Sequence, residues 1–155
     1  MVGLFGTCGK STWRNKFMEA FDQAGIKYFN PQVDNWTPEL AIEEAKHLAH
    51  DEIILFPVTD ETYATGSLAE TGFSILQALK TPNRHVFIFI DDKLAPNLIE
   101  ENPLCAKESI RARKLVIAHL ANLNLPTVHQ CASLDDMLAQ TLNLHSEQEI
   151  ETTEL

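Results

Sequence analysis

Basic residues are scarce in this chain of 155: 12 Lys and Arg stand against 22 Asp and Glu, a formal net charge of −10, with no Lys/Arg-rich run. A protein that tracks a phosphate backbone or an anionic bilayer needs such a run, so nucleic acid polymers and membrane surfaces are not expected partners. Cysteine is equally sparse. Cys8, Cys105 and Cys131 are widely spaced and form no C-x-x-C pair, which excludes a disulfide framework or zinc ribbon and suits a reducing cytoplasm. No apolar stretch approaches membrane-spanning length, and the opening Met-Val-Gly-Leu-Phe-Gly lacks the basic start and long apolar run of a signal peptide. The six histidines show no ligand spacing, so neither a metal nor another cofactor is expected.

The chain does have the composition of one globular domain, at 45% hydrophobic and 22% charged residues. Short apolar runs at Val2–Phe5, Lys27–Phe29, Ile53–Val58, His85–Ile90 and Thr127–His129 read as strands, each followed by a turn and an amphipathic stretch. Trp13, Phe17 and Phe21 recur every fourth residue in a first helix that starts near Ser11 or Thr12 and stops at Gly25. Thr37 and Pro38 open a second helix running to about His50. Ser67, Ser109 and Ser133 mark later helix starts. Strands alternating with helices predict a three-layer α/β/α sandwich around a five-stranded parallel sheet in the flavodoxin-like order 2-1-3-4-5. Residues 1–145 are expected to form the domain and 146–155 an acidic tail, frayed or engaged in a subunit contact.

Ligands of such sheets bind beyond the carboxyl ends of the strands, where the strand order reverses, which directs attention to the loops after the first four strands. Gly3-Leu-Phe-Gly6-Thr7-Cys-Gly9-Lys-Ser has the residue types of a P-loop but not its spacing. Its free amides serve either a tight turn or an anion. Cys8 and Arg14 form a C-x5-R pattern, the thiolate and phosphate grip of cysteine-dependent phosphatases. However, Asn15 follows the arginine where those enzymes have Ser or Thr, and no Asp-Pro supplies their acid. In the third loop, Ser67-x-x-Glu70 reads in two ways. It is a capping box in which Glu70 returns to its own backbone, or it presents an ionised carboxylate to the ligand crevice.

Three segments carry a family resemblance: Gly6-Thr7-Cys-Gly-x-Ser-Thr-Trp-Arg14, Asn30-Pro-Gln-Val-Asp34-x-Trp36 and Gly66-Ser67-x-x-Glu70-x-Gly72. In this order and at these loop ends they resemble the nucleoside 2-deoxyribosyltransferase-like family, nearest its less characterised branch, over most of residues 1–95. The resemblance implies a flavodoxin-like fold and chemistry at the N-glycosidic bond of a small-molecule nucleoside or nucleotide, without a cofactor, in a homo-oligomer. It makes Glu70 the nucleophile and places Glu43, beside Glu44, at the carboxylate that handles the base. It also exposes a departure, because Ala64 stands where characterised transferases carry an Asp.

The chemistry fits those residue types: an oxocarbenium-like transition state needs an anion under the sugar and a proton donor at the base. Glu70 supplies the first and Glu43 or Asp34 the second, if the loops converge. Asn30 and Asp34 bond sugar or base, or simply close an Asx turn. Trp36 and Tyr63 offer flat faces to a base or pack in the core, and Arg14 pairs a phosphate or lies on a helix surface. The alternative functions are a non-catalytic nucleotide sensor, which Ala64 favours, and the phosphatase using Cys8 and Arg14.

Overall fold

A computed structural model of the chain describes residues 1–35 and 37–153, the last five by backbone alone. The elements follow in the order β1 (Val2–Leu4), α1 (Trp13–Ala24), β2 (Tyr28–Phe29), α2 (Pro38–His50), β3 (Ile53–Val58), α3 (Thr65–Lys80), β4 (His85–Ile90), α4 (Pro96–Glu101), α5 (Pro103–Ala121), β5 (Val128–Gln130) and α6 (Leu134–Thr153). All strand pairs are parallel and the order is β2-β1-β3-β4-β5, the predicted flavodoxin-like topology.

The layers follow from the two-residue period of the strands. Ile53, Leu55 and Phe87 point to one face, where Phe17 and Phe21 of α1 and Met137 and Leu138 of α6 cover them. Ile54, Phe56, Val86 and Ile88 point to the other, against Ala78 of α3 and Leu120 of α5, with Leu48 of α2 alongside. Gly25 ends α1 because only the left-handed backbone (φ 69°) lets the chain reverse there, and the next residue, Ile26, donates back to the Phe21 carbonyl at 2.9 Å. Thr37 caps α2 by accepting from Leu40 N–H, with Pro38 at the first helical position.

The starts of α3 and α5 depart from expectation. α3 opens at Thr65, two residues before Ser67. The helix expected to open at Ser109 begins at Pro103, capped by Asn102, whose side chain accepts from Cys105 N–H at 3.1 Å. Asn-Pro is itself a cap-plus-N1 signal, and Ser109 instead lies buried in the helix interior. The short α4 precedes it. α6 continues as helix through Thr153, so no element ends at residue 146.

Candidate functional site

The strand order reverses between β1 and β3, and the loops leaving their carboxyl ends face each other across a cleft of about 320 Å³. The β1–α1 side contributes Phe5, Gly6, Cys8 and Gly9, and the β3–α3 side contributes Ala64, Gly66, Ser67 and Glu70 among others. Glu44 reaches the same cleft from α2.

The first loop is held by bonds to the end of β3 and by the side chains of Thr7 and Arg14. Gly6 has φ 94°, and a Cβ there would come within 2.3 Å of the Pro57 carbonyl, so glycine alone fits. Thr7 N–H donates to Pro57 at 2.8 Å while its hydroxyl accepts from Thr59 N–H at 2.9 Å, tying the loop to the end of β3. Arg14 is wholly buried. Its guanidinium donates to the Leu4 carbonyl (2.9 Å), the Thr7 carbonyl (2.6 Å) and Cys8 Sγ (3.3 Å), and lies 4.5 Å from the centre of the Trp13 ring. Thr7 therefore ties the loop to β3, and Arg14, expected to pair a phosphate or lie on a helix surface, is instead a buried brace. The same geometry removes the phosphatase reading, since an enclosed arginine cannot grip a phosphate.

The second loop is laced to the first through Gln32, whose amide donates to the carbonyls of Gly9 (2.7 Å) and Ser11 (3.1 Å). Asn30 Oδ1 accepts from Gln32 N–H at 2.9 Å, the Asx turn weighed against a ligand role. Asp34 is exposed and does not line the cleft. Trp36 lies outside the described residues.

The third loop is clamped from behind. Arg113 of α5, also wholly buried, donates to the carbonyls of Val58 (3.3 Å), Asp91 (2.9 Å), Thr59 (2.9 Å) and Thr62 (2.7 Å). Ser109 donates to the Tyr63 carbonyl at 2.8 Å. Tyr63 turns its hydroxyl to the Leu98 carbonyl, 2.8 Å away, and does not line the cleft, so it offers no platform there for a base. With its carbonyls held, the loop enters α3 through Ala64 in the left-handed region (φ 55°, ψ 28°), an uncommon conformation for a residue with a Cβ.

That entry removes the capping box. Ser67 lies inside the helix instead of at its N-cap, so no capping box forms, and Glu70 accepts no hydrogen bond from the described residues. Its carboxylate lines the cleft. Burial raises its proton affinity above the ordinary 4.5, and the nearby Glu44 carboxylate adds to the rise. Glu44 is also raised by burial, with the Arg14 charge pulling the other way.

Glu43 does not join them. Adjacent helix positions point about 100° apart, and Glu43 faces solvent, beside Lys46 at 3.2 Å and the His47 ring at 3.6 Å. The carboxylate that shares the cleft with Glu70 is Glu44, the neighbour of the residue that the resemblance assigned. Among the described residues no three His, Cys, Asp or Glu are placed to hold a metal ion, and no helix is long and apolar enough to cross a membrane.

A family model, nucleoside 2-deoxyribosyltransferase like, matches residues 1–91. The chain belongs to that family. No curated protein matches it. The span shared with the nucleoside 2-deoxyribosyltransferase-like family runs from β1 through β4 and contains every cleft residue named above. Arg113 and Ser109, which fix the third loop, lie beyond it, in α5. Their only sequence signal is a polar pair spaced i, i+4 among the buried positions of α5. Glu44 had a plainer one, a second carboxylate next to Glu43.

Proposed function

We propose that this protein cleaves or transfers at the N-glycosidic bond of a nucleoside, with Glu70 as nucleophile and Glu44 as proton donor to the departing base. The observation that carries this reading is the pair itself: two carboxylates in one cleft at the topological switch point, neither hydrogen-bonded by the described residues. Burial raises the proton affinity of both carboxyls, the Glu44 carboxylate adding to the rise at Glu70 and the Arg14 charge opposing it at Glu44. The ionised partner attacks C1 of the sugar as the base leaves; the protonated partner delivers its proton to the base. The sugar is then held as an ester on Glu70 until water or a second base takes it. Ala64, Gly66 and Ser67 edge the cleft without filling it.

The chain is also proposed to act as a homo-oligomer in the cytoplasm. Support comes from α3, whose outward residues Phe73, Leu76 and Leu79 are 61%, 58% and 56% exposed while Thr71 and Ser74 are buried beneath them. A helix whose large apolar side chains face away from its own core is suited to a protein contact. Light scattering is expected to report more than one copy, and Leu76→Glu to dissociate it; a monomer would contradict the proposal.

Incubation with 2′-deoxynucleosides and ribonucleosides, followed by chromatography for free or exchanged base, tests the activity. Turnover is expected, and at least about a thousandfold less in Glu70→Gln. Binding without turnover would favour the sensor.

A further inference from the structure

The two walls of the cleft are tied together by a side chain that does not line it. Glu61, in the β3–α3 loop, accepts at one carboxylate oxygen, Oε2, from two hydroxyls: Thr59 Oγ1 at the end of β3 (2.7 Å) and Ser11 Oγ in the β1–α1 loop. Thr59 and Ser11 are both buried. Glu61 is held in place by its neighbours, because the carbonyls of Thr59 and Thr62 on either side of it accept from Arg113 Nη2 at 2.9 and 2.7 Å. Ser11 in turn gives its carbonyl to the Gln32 amide of the second loop (3.1 Å), which also donates to the Gly9 carbonyl (2.7 Å). One line of bonds therefore runs from α5 through Glu61 to the first loop and on to the second.

The first loop depends on such a tie. Its start is fixed to β3 by Thr7. Past Thr7, residues Cys8, Gly9 and Lys10 are exposed, and apart from chain neighbours nothing packs within 4 Å of the place a Cβ would take at Gly9. Cys8 and Gly9 nevertheless form a wall of the cleft that Glu70 lines from the other side. That wall is held by hydrogen bonds at its far end, and of these Ser11–Glu61 is the bond to the opposite wall.

We infer that Glu61 is a positioning residue of the cleft: by clasping Ser11 to Thr59 it fixes how far Cys8 and Gly9 stand from Glu70, and so where a bound sugar sits relative to that carboxylate. The clasp stands on its own geometry; its effect on turnover rests on the glycosidic reading above. A displacement of about 1 Å between reacting groups can cost about a hundredfold in rate, so a loosened wall lowers kcat more than it weakens binding. Glu61→Gln keeps an acceptor oxygen of the same reach, whereas Glu61→Ala keeps none.

The test combines steady-state kinetics on 2′-deoxyadenosine with NMR relaxation of the full chain. Glu61→Ala and Ser11→Ala are each expected to lower kcat about tenfold or more with KM within about threefold, and the double variant to be no worse than either, because all three lose the same bond. Glu61→Gln should stay within about threefold of the natural chain. Order parameters of the Gly9 and Lys10 amides should fall from about 0.85 toward about 0.6 in the Ala variants and hold in Glu61→Gln. Unchanged order parameters in both Ala variants, or a lowered melting temperature with kcat undiminished beside an active natural chain, overturns the inference and leaves the glycosidic reading standing. A natural chain that turns over no nucleoside, with Gly9 and Lys10 loosened in the Ala variants, overturns the glycosidic reading and supports the clasp.

Discussion

The β1–α1 and β3–α3 loops leave neighbouring strands at the same edge of the sheet, yet their polar groups are disposed in opposite ways. In the first, Thr7 and Arg14 are buried and bonded to strand ends and carbonyls, so charge and hydroxyl alike serve the backbone. In the second, the backbone is held from outside by Arg113 and Ser109, and Ser67 and Glu70 in the first turns of the helix it enters are left facing the cleft. A group that satisfies its own chain has nothing left for a ligand. Thr7 and Arg14 are therefore scaffold, whereas Glu70 is left free for a ligand.

The comparison breaks most visibly at the arginines. Arg14→Ala is expected to lower unfolding free energy by about 3 kcal/mol or more in urea titrations, because buried carbonyls lose their donors, and Arg14→Lys should restore little of it. A loss below about 1 kcal/mol would show that the first loop does not depend on that brace.

Glu70→Gln should move stability the other way. A carboxyl whose proton affinity is raised in the folded chain binds more protons there than in the unfolded chain, so its contribution falls as pH climbs from the ordinary 4.5 through the raised value. The variant should therefore be more stable than the natural chain at pH 7, with the gap closing as pH is lowered toward 4.5 in thermal melts. A gap that widens on acidification would place Glu70 in a stabilising ion pair.

Smaller effects sharpen the contrast between two helix starts. Thr37→Ala removes a side-chain cap and should cost about 1 kcal/mol, whereas Ser67→Ala, inside its helix, should stay within about 0.5 kcal/mol. Equal losses would restore the capping box. Smallest is Ala64→Gly, which relieves the left-handed strain at φ 55° but adds unfolded-chain entropy, for a net gain of about 0.5 kcal/mol in the same melts.

Hydrophobic periodicity and helix caps are local, and they made the sheet order, the Gly25 stop and the Thr37-Pro38 start legible in the sequence. The loops that carry the cleft were legible too, since topology dictates which strand ends meet. Three features were not. The spacing Ser67-x-x-Glu70 is the same whether the helix begins at Ser67 or at Thr65, and only the left-handed turn at Ala64 separates the cases. Glu43 and Glu44 are chemically identical neighbours, divided by helix phase alone. Arg14 and Arg113 are recognised by which carbonyls surround them, a property of the folded chain.

Intact-protein and peptide mass spectrometry after incubation with a 2′-fluoro-2′-deoxyarabinosyl nucleoside tests the central claim most directly, because the fluorine slows release of a sugar ester. The account predicts one pentosyl unit on the peptide that contains Glu70, with none on Glu70→Gln. Base release without any adduct, undiminished in Glu70→Gln, would contradict it.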